Sequence, residues 1–195
     1  RITGGQFRSR LLVAPRGDAT RPTSDRVRES LFSILEARGF PRDARVLDLF
    51  AGTGSLGFEA LSRGADHVTF VEERRDTLRA LEENRAALKT ADRTAVFAEK
   101  VERALTRLPA ASFDLVFLDP PYKLVTETPF VALFGAVARV CAPNACVVLE
   151  HASRDEAPAL GPCACEEARR YGDTALAFYA PTPADLQQLA TLDHI

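Results

Sequence analysis

The sequence predicts an α/β protein whose mostly parallel sheet is covered by helices on both faces. From residue 45 onward, short and strongly apolar runs alternate with longer segments whose apolar residues recur at helical spacing. Continuous apolar runs are typical of strands that are buried on both faces. A chain of 195 residues with 46% hydrophobic content is long enough for a full core, and this composition excludes a disordered or collagen-like protein.

The N-terminal part follows a different pattern. Residues 1–14 contain two glycines near their start and predict a short β-hairpin. A helix is predicted from Thr23 or Ser24, either of which is a suitable N-cap, to Arg38, and Gly39 ends it.

Repeated strand and helix units follow this first helix. They are, in order, strand 45–50, helix 55–64, strand 67–72, helix 74–90, strand 94–99, a short helix ending near 109, strand 113–119, helix 128–140, strand 145–151, and a closing hairpin near 165–170 and 174–179. We divide the chain into an N-terminal arm (1–20), a main domain (21–181) and a tail (182–195). In such a sheet, ligands bind at the carboxyl ends of the strands. The loops after Phe50, Glu72, Glu99 and Asp119 are therefore expected to line one site.

A glycine-rich loop, Asp48-Leu-Phe-Ala-Gly52-Thr-Gly54-Ser-Leu-Gly57, follows the first strand of this series. It holds a G-x-G-x-x-G pattern between a strand and a helix, and Glu72 lies twenty residues beyond Gly52. The glycines let the backbone turn tightly and approach a ligand, and a carboxylate on the next strand can bind ribose hydroxyls. The pattern is typical of dinucleotide binding, so an NAD-dependent oxidoreductase is one hypothesis. A tight turn without a ligand is another.

Asp48 argues against a dinucleotide. Its carboxylate would repel a pyrophosphate but could hold an ammonium group, directly or through water. S-adenosylmethionine (SAM) combines a ribose with an ammonium group and has no phosphates. We therefore predict SAM as the cofactor.

The strand at 113–119 ends in Asp119-Pro120-Pro121-Tyr122. The two prolines fix φ and hold the backbone rigid. The Asp119 carboxylate and the Pro120 carbonyl can accept hydrogen bonds from the two N–H groups of an exocyclic base amine, which frees its lone pair for methyl transfer. The Tyr122 ring offers a surface on which a flipped base can stack. A proline-rich turn without chemistry is the alternative interpretation.

Positive charge is concentrated at one end of the chain. Residues 1–28 hold seven arginines and two aspartates, a net charge of +5, so the other 167 residues carry −7 of the total of −2. A basic arm on an acidic body favours a polyanionic partner, although a solvated surface segment would show the same charge. The cysteines and histidines lack the spacing of a zinc site, and no metal is expected.

The D-P-P-Y box and the D-L-F-A-G-T-G-S-L-G loop resemble those of class I SAM-dependent amino-methyltransferases that act on nucleic-acid bases. Three further stretches, R-I-T-G-G-Q-F-R-S-R (1–10), R-P-T-S-D-R-V-R-E-S-L-F (21–32) and L-G-F-E-A-L-S-R-G-A (56–65), extend the resemblance to the RsmD family over nearly the whole chain. That family methylates N2 of a guanine in 16S ribosomal RNA. The resemblance implies a Rossmann-like fold with a seven-stranded sheet and an N-terminal hairpin. It also implies a cytoplasmic monomer that meets its RNA on a partly assembled small ribosomal subunit.

Site residues follow from these motifs and from the resemblance. The predicted catalytic residues are Asp119, Pro120 and Tyr122. The predicted cofactor-binding residues are Asp48, Phe50, Ala51, Gly52, Thr53, Gly54, Glu72, Glu73, Glu99, Lys100, Val101, Arg21 and Thr23. The predicted RNA contacts are Arg8, Arg10, Arg16, Arg26 and Pro121.

One position departs from the family pattern. The family has Asn or Asp after the third strand, where the side chain accepts from the adenine amino group, whereas this chain has Glu99-Lys100-Val101. Lys100 cannot accept a hydrogen bond, so either Glu99 or the backbone of Lys100 and Val101 is expected to contact the adenine. An enzyme acting on adenine or cytosine of DNA or RNA, and an RNA-binding module without activity, remain alternatives.

Overall fold

The computed structural model describes residues 1–15, 24–121, 125, 128–159, 161 and 163–181. The chain divides into two compact units, Arg1–Val101 and Glu102–Ile195. None of the described helices has the length and hydropathy that crossing a bilayer requires.

The first unit contains three parallel strands and their helices. Its elements are α1 (Asp25–Ala37), β1 (Arg45–Leu49), α2 (Ser55–Ser62), β2 (His67–Val71), α3 (Arg75–Ala87), a 3₁₀ turn (Ala91–Arg93) and β3 (Thr94–Phe97). The strands lie in the order β3-β2-β1, with Arg45 opposite His67 and Val68 opposite Thr94. Four of the five β1 residues are buried, as expected of a strand that is covered on both faces.

Helix α1 begins where its cap is satisfied. The Ser24 hydroxyl accepts a hydrogen bond from the Val27 N–H at 3.3 Å, so Ser24 is the N-cap. The apolar face of α1 is buried along the helix, from Val27 through Leu31 to Leu35.

The second unit contains the remaining four strands. Its elements are α4 (Val101–Arg107, which begins at the boundary of the units), β4 (Phe113–Leu118), α5 (Thr128–Val140), β5 (Cys141–Ala152), β6 (Cys163–Tyr171) and β7 (Thr174–Pro181). They lie in the order β4-β5-β7-β6, with β4 parallel to β5 and with β7 antiparallel to β5 and β6. The seven strands that the structure describes form a mixed sheet, which confirms the predicted fold class.

The predicted N-terminal β-hairpin is wrong in its secondary structure. The chain does reverse direction, because Ile2 N–H donates to the Arg10 carbonyl and Ser9 N–H donates to the Ile2 carbonyl, each at 2.9 Å. Residues 1–15, however, form turns and no strand. The N–H groups of Thr3 and Gly4 donate to the Glu59 carboxylate of α2, at 2.8 and 2.9 Å, and therefore do not enter a β-ladder.

Candidate active site

The glycine-rich loop between β1 and α2 has an unusual backbone. Phe50, Gly52 and Gly54 all have positive φ angles, of 60°, 57° and 81°. Such angles are easy for glycine but strained for phenylalanine. The loop therefore turns sharply at the carboxyl end of β1 and starts α2 at Ser55, with Gly54 as its N-cap.

The three glycines of the motif serve different purposes. A Cβ atom on Gly57 would lie 2.3 Å from the Phe70 ring, and one on Gly54 would lie 2.6 Å from the Phe58 ring. Gly57 therefore allows α2 to pack closely on β2, whereas Gly54 leaves room for the Phe58 ring of α2 itself. A Cβ on Gly52 would meet nothing within 4 Å. Gly52 thus borders open space, where a ligand can approach the backbone.

Asp48 is buried beneath this loop, with 1% of its surface exposed. Its Oδ2 accepts a hydrogen bond from the Gly57 N–H at 2.9 Å, which ties β1 to the first turn of α2. Burial raises the pKa of the Asp48 carboxyl to about 8, the Gly57 N–H partly opposes this rise, and the charge of Glu72 adds to it. A cation near the carboxyl would reverse much of that shift.

Glu72 directly follows β2 and joins two loops. Its Oε2 accepts from the Gly52 N–H at 2.9 Å, and its Oε1 accepts from the N–H groups of Glu73 and Arg74 at 2.9 and 2.8 Å. The predicted ribose acceptor therefore adjoins the first glycine of the motif. Glu73 itself is exposed.

The third loop begins beside the second. Strand β3 ends at Phe97, two residues earlier than predicted, and the Phe97 carbonyl accepts from the Glu72 N–H at 3.1 Å. Glu99 is half-buried, Lys100 is exposed, and the buried Val101 starts α4. The hydrogen bonds of the Glu72 side chain and backbone bring together three of the four loops that the sequence predicts for the site. The choice of adenine contact stays a prediction.

Asn84 is a residue that the motifs did not indicate. It lies in α3 with 1% of its surface exposed, and its Nδ2 donates to the Thr53 carbonyl in the glycine-rich loop at 3.1 Å. Asn84 stands three residues after Leu81 and four before Leu88, both of which are buried. A polar residue on the apolar face of a helix was the signal that could have revealed it.

The D-P-P-Y box begins in the second unit, directly after β4. Asp119 is partly exposed, Pro120 is buried and Pro121 is exposed. The preceding residue, Leu118, pairs with Leu149 of β5, so Asp119 stands at the carboxyl end of β4. Four predicted site residues lie outside the described part of the chain: Tyr122, Arg16, Arg21 and Thr23.

The arginines of the N-terminal region divide into two groups. Arg8, Arg10 and Arg26 are exposed, as predicted for contacts with a polyanion. Arg28, by contrast, is only 3% exposed and pairs with Asp25 at 2.6 Å and with Glu59 at 3.3 Å. In the residues that the structure describes, no group of three or more His, Cys, Asp or Glu side chains could hold a metal.

Comparisons with known proteins agree with this architecture. A family profile described as Conserved hypothetical protein 95 matches residues 1–180. The chain is 34% identical to the Bacillus subtilis protein named "Putative rRNA methyltransferase YlbH", over 92% of this chain and 97% of that protein. It is 41% identical to ribosomal RNA small subunit methyltransferase D of Escherichia coli, over 66% of this chain and 64% of that protein.

A solved structure shows the same fold. An Escherichia coli protein described as "Putative methyltransferase yhhF" superimposes with a TM-score of 0.78 at 33% identity, covering 93% of this chain and 97% of that one. Because the family profile spans most of the sequence and a relative above 30% identity covers nearly all of it, the chain belongs to the Conserved hypothetical protein 95 family, which is the RsmD family.

Proposed function

We propose that this protein is a SAM-dependent methyltransferase that modifies the exocyclic N2 amine of a guanine in small-subunit ribosomal RNA. The observation that carries the proposal is the arrangement of Asp48, Gly52 and Glu72 in one loop cluster, in a chain that also contains the D-P-P-Y box. The relatives named as ribosomal RNA methyltransferases support the substrate class.

The residues of the first unit fit the polar groups of SAM. Glu72 offers a carboxylate to the ribose hydroxyls, and Asp48 offers one to the ammonium group, directly or through water. Gly52 lets the ligand approach the backbone, with Phe50, Ala51, Thr53, Gly54 and Glu73 beside it. Arg21 and Thr23 are assigned to the methionine carboxylate, and Glu99, Lys100 or Val101 to the adenine. SAM, when bound, supplies an activated methyl group.

The D-P-P-Y residues act on the substrate amine. An exocyclic amine is a poor nucleophile because its lone pair is delocalised into the base. The Asp119 carboxylate and the Pro120 carbonyl accept from its two N–H groups, which favours a pyramidal nitrogen with its lone pair free. Tyr122 stacks on the base, with Pro121 beside it. Asp119 or water takes the proton that the methylated nitrogen releases. Because this nitrogen loses its proton readily, the positioning of the amine and the alignment of its lone pair contribute most of the rate enhancement.

Two other functions account for fewer of these features. An NAD-dependent oxidoreductase would use Glu72 but would leave the D-P-P-Y box without a role. An RNA-binding module without activity would use the arginines but not the glycine-rich loop. A methyltransferase acting on adenine or cytosine would use the same loops, and the Asp at position 119 does not distinguish these bases. We further propose a cytoplasmic monomer, acting without a metal on a partly assembled small subunit.

Thermal denaturation with added ligand tests the cofactor. S-adenosylhomocysteine should raise the melting temperature of the protein by mass action, and NAD should not. Glu72→Gln should remove most of that shift, because a neutral amide binds the ribose hydroxyls less strongly than a carboxylate. Glu83→Gln, an exposed change in α3, is the matched control and should keep the full shift. A larger shift with NAD would overturn the proposal.

A further inference from the structure

Asn84 holds two segments that are distant in sequence. Its Oδ1 accepts from the Val13 N–H at 2.6 Å, and its Nδ2 donates both to the Val13 carbonyl and to the Thr53 carbonyl, each at 3.1 Å. Both amide hydrogens and the amide oxygen are thus used. The side chain pairs with the backbone of Val13 as a neighbouring strand would, and it also reaches the glycine-rich loop.

Both contacts are expected to matter because the amide is buried. A hydrogen bond that is lost inside the protein leaves a carbonyl or N–H group without a partner, which costs more than a bond lost at the surface. The amide also cannot rotate to keep one contact without losing another, since an inverted amide would point its NH₂ group at the Val13 N–H. Val13 and Thr53 are therefore fixed relative to each other through one side chain.

We propose that Asn84 is a positioning residue that couples the N-terminal segment to the cofactor-binding loop. The proposal rests on the proposed function, since it assumes that this loop binds SAM. Val13 stands three residues before Arg16 and eight before Arg21, which are assigned to RNA and to the cofactor. Binding of the cofactor at the loop should then stabilise the position of the N-terminal segment, and by linkage the segment in that position should raise the affinity for the cofactor equally.

A double-mutant cycle tests the coupling through the affinity for S-adenosylhomocysteine, measured by calorimetry. Asn84→Ala removes both contacts. Val13→Pro removes the N–H that binds Asn84 and fixes φ at that position, which lies outside the cofactor loop. Val13→Pro should weaken binding by about three- to tenfold, the scale of one lost hydrogen bond, and Asn84→Ala, which loses both contacts, by at least as much. In the Asn84→Ala background, Val13→Pro should have no further effect.

Two control variants separate coupling from general loss of structure. Val13→Ala keeps the backbone N–H and should bind as the wild type does. Leu81→Ala truncates a fully buried residue of the same helix, so it should lower the stability of the fold while leaving the affinity within about twofold of wild type. Additive effects of Asn84→Ala and Val13→Pro, or an unchanged affinity in Val13→Pro, would overturn the coupling.

Hydrogen exchange in the ligand-free protein provides a measurement that does not depend on the cofactor. Val13→Pro should speed the exchange of the Gly52 and Gly54 amides relative to Val13→Ala, because the Thr53 carbonyl between them is held less firmly. Equal exchange in the two variants would count against the coupling. If the wild-type protein binds no S-adenosylhomocysteine but the exchange result holds, the proposed function fails while the mechanical link between segment and loop stands.

Discussion

Asp48 is a buried acid whose charge is expected to change with pH in the range where enzymes work. Its pKa of about 8 lies well above the ordinary value of 3.8. Between these two values, the folded protein holds a proton that the unfolded chain has released. The contribution of Asp48 therefore makes the protein less stable as the pH rises from 4 to 8.

Replacing Asp48 tests this contribution. Asp48→Asn keeps an oxygen for the Gly57 N–H and removes the titration, so the free energy of unfolding should fall less steeply between pH 5 and pH 8 than it does in wild type. Urea denaturation at several pH values provides the measurement. The exposed change Asp92→Asn is the control and should keep the wild-type slope. The same slope in Asp48→Asn as in wild type would show that Asp48 is already ionised.

The same carboxyl also makes cofactor binding depend on pH. An ammonium group beside Asp48 favours the ionised form, so binding should release a proton below pH 8. The affinity for S-adenosylhomocysteine should therefore rise from pH 6 to pH 8, and Asp48→Asn should weaken this rise. Calorimetry in buffers of different ionisation enthalpy detects the released proton. Binding without proton release at pH 7 would separate Asp48 from the ammonium group.

Asp119 is assigned to the substrate and not to the cofactor. Asp119→Ala should keep the affinity for SAM within a few-fold, while turnover falls by about 10²- to 10⁴-fold, the scale of a lost acceptor at a reacting centre. Asp119→Asn retains one acceptor oxygen and should keep substantial activity if Asp119 aligns the lone pair. Single-turnover methylation with saturating SAM provides the measurement. If Asp119→Asn is as inactive as Asp119→Ala, Asp119 acts as the base. If Asp119→Ala keeps full activity, the D-P-P-Y box is only a turn and takes no part in catalysis.

At the level of secondary-structure elements, the close packing of α2 on β2 explains why the third position of the motif, Gly57, is a glycine. Because a Cβ on Gly57 would lie 2.3 Å from the buried Phe70 ring, Gly57→Ala must push the helix from the sheet. We expect a loss of about 1–3 kcal/mol in the free energy of unfolding. Gly135→Ala in α5 meets nothing within 4 Å, and it should instead stabilise the protein by about 0.5–1 kcal/mol. Equal effects of the two changes in denaturant unfolding would refute this account.

The elements themselves could be predicted from periodicity because burial imposes it. The strand at 45–50 and the helix at 128–140 lie within a residue of β1 and α5. The conformation of the N-terminal segment could not be predicted correctly from the sequence. The N–H groups of Thr3 and Gly4 donate to Glu59, a helical residue some 55 positions away, and no local pattern indicates such a contact. The contact of Asn84 with Val13 spans 71 positions and leaves no motif, so only its place on an apolar helix face hints at it.

At the level of the whole molecule, the distribution of positive charge decides where RNA is expected to bind. The sequence places a surplus of +5 in residues 1–28, but the structure shows that not all of it is available. Arg1 pairs with Asp25, and the buried Arg28 pairs with Asp25 and Glu59. Arg1 is itself exposed but is held by Asp25, and the other exposed arginines described in this region are Arg8, Arg10 and Arg26. These three are the ones expected to reach phosphates.

Removal of residues 1–14 would be a poor test of this surface, because it would also change the packing of the fold. The Glu59 carboxylate would lose its hydrogen bonds from the Thr3 and Gly4 N–H groups, and the buried Ile2 would be lost. A triple change of Arg8, Arg10 and Arg26 to Gln preserves these contacts. Arginines on a surface without many stacking aromatics bind phosphates more than they read bases. The affinity for small-subunit RNA should therefore fall, while the affinity for S-adenosylhomocysteine should stay unchanged.

The salt dependence of binding gives this expectation a number. Each phosphate contact contributes about 0.7–0.9 to the slope of log K against log salt concentration, so losing three contacts should reduce the slope by about 2–3. Filter binding at a series of salt concentrations measures it. The matched control replaces three exposed arginines elsewhere, Arg42, Arg79 and Arg154, and changes the net charge by the same amount. If both triple variants lower the slope equally, RNA binding depends on the net charge of the protein, and the N-terminal arginines do not form a specific RNA-binding surface.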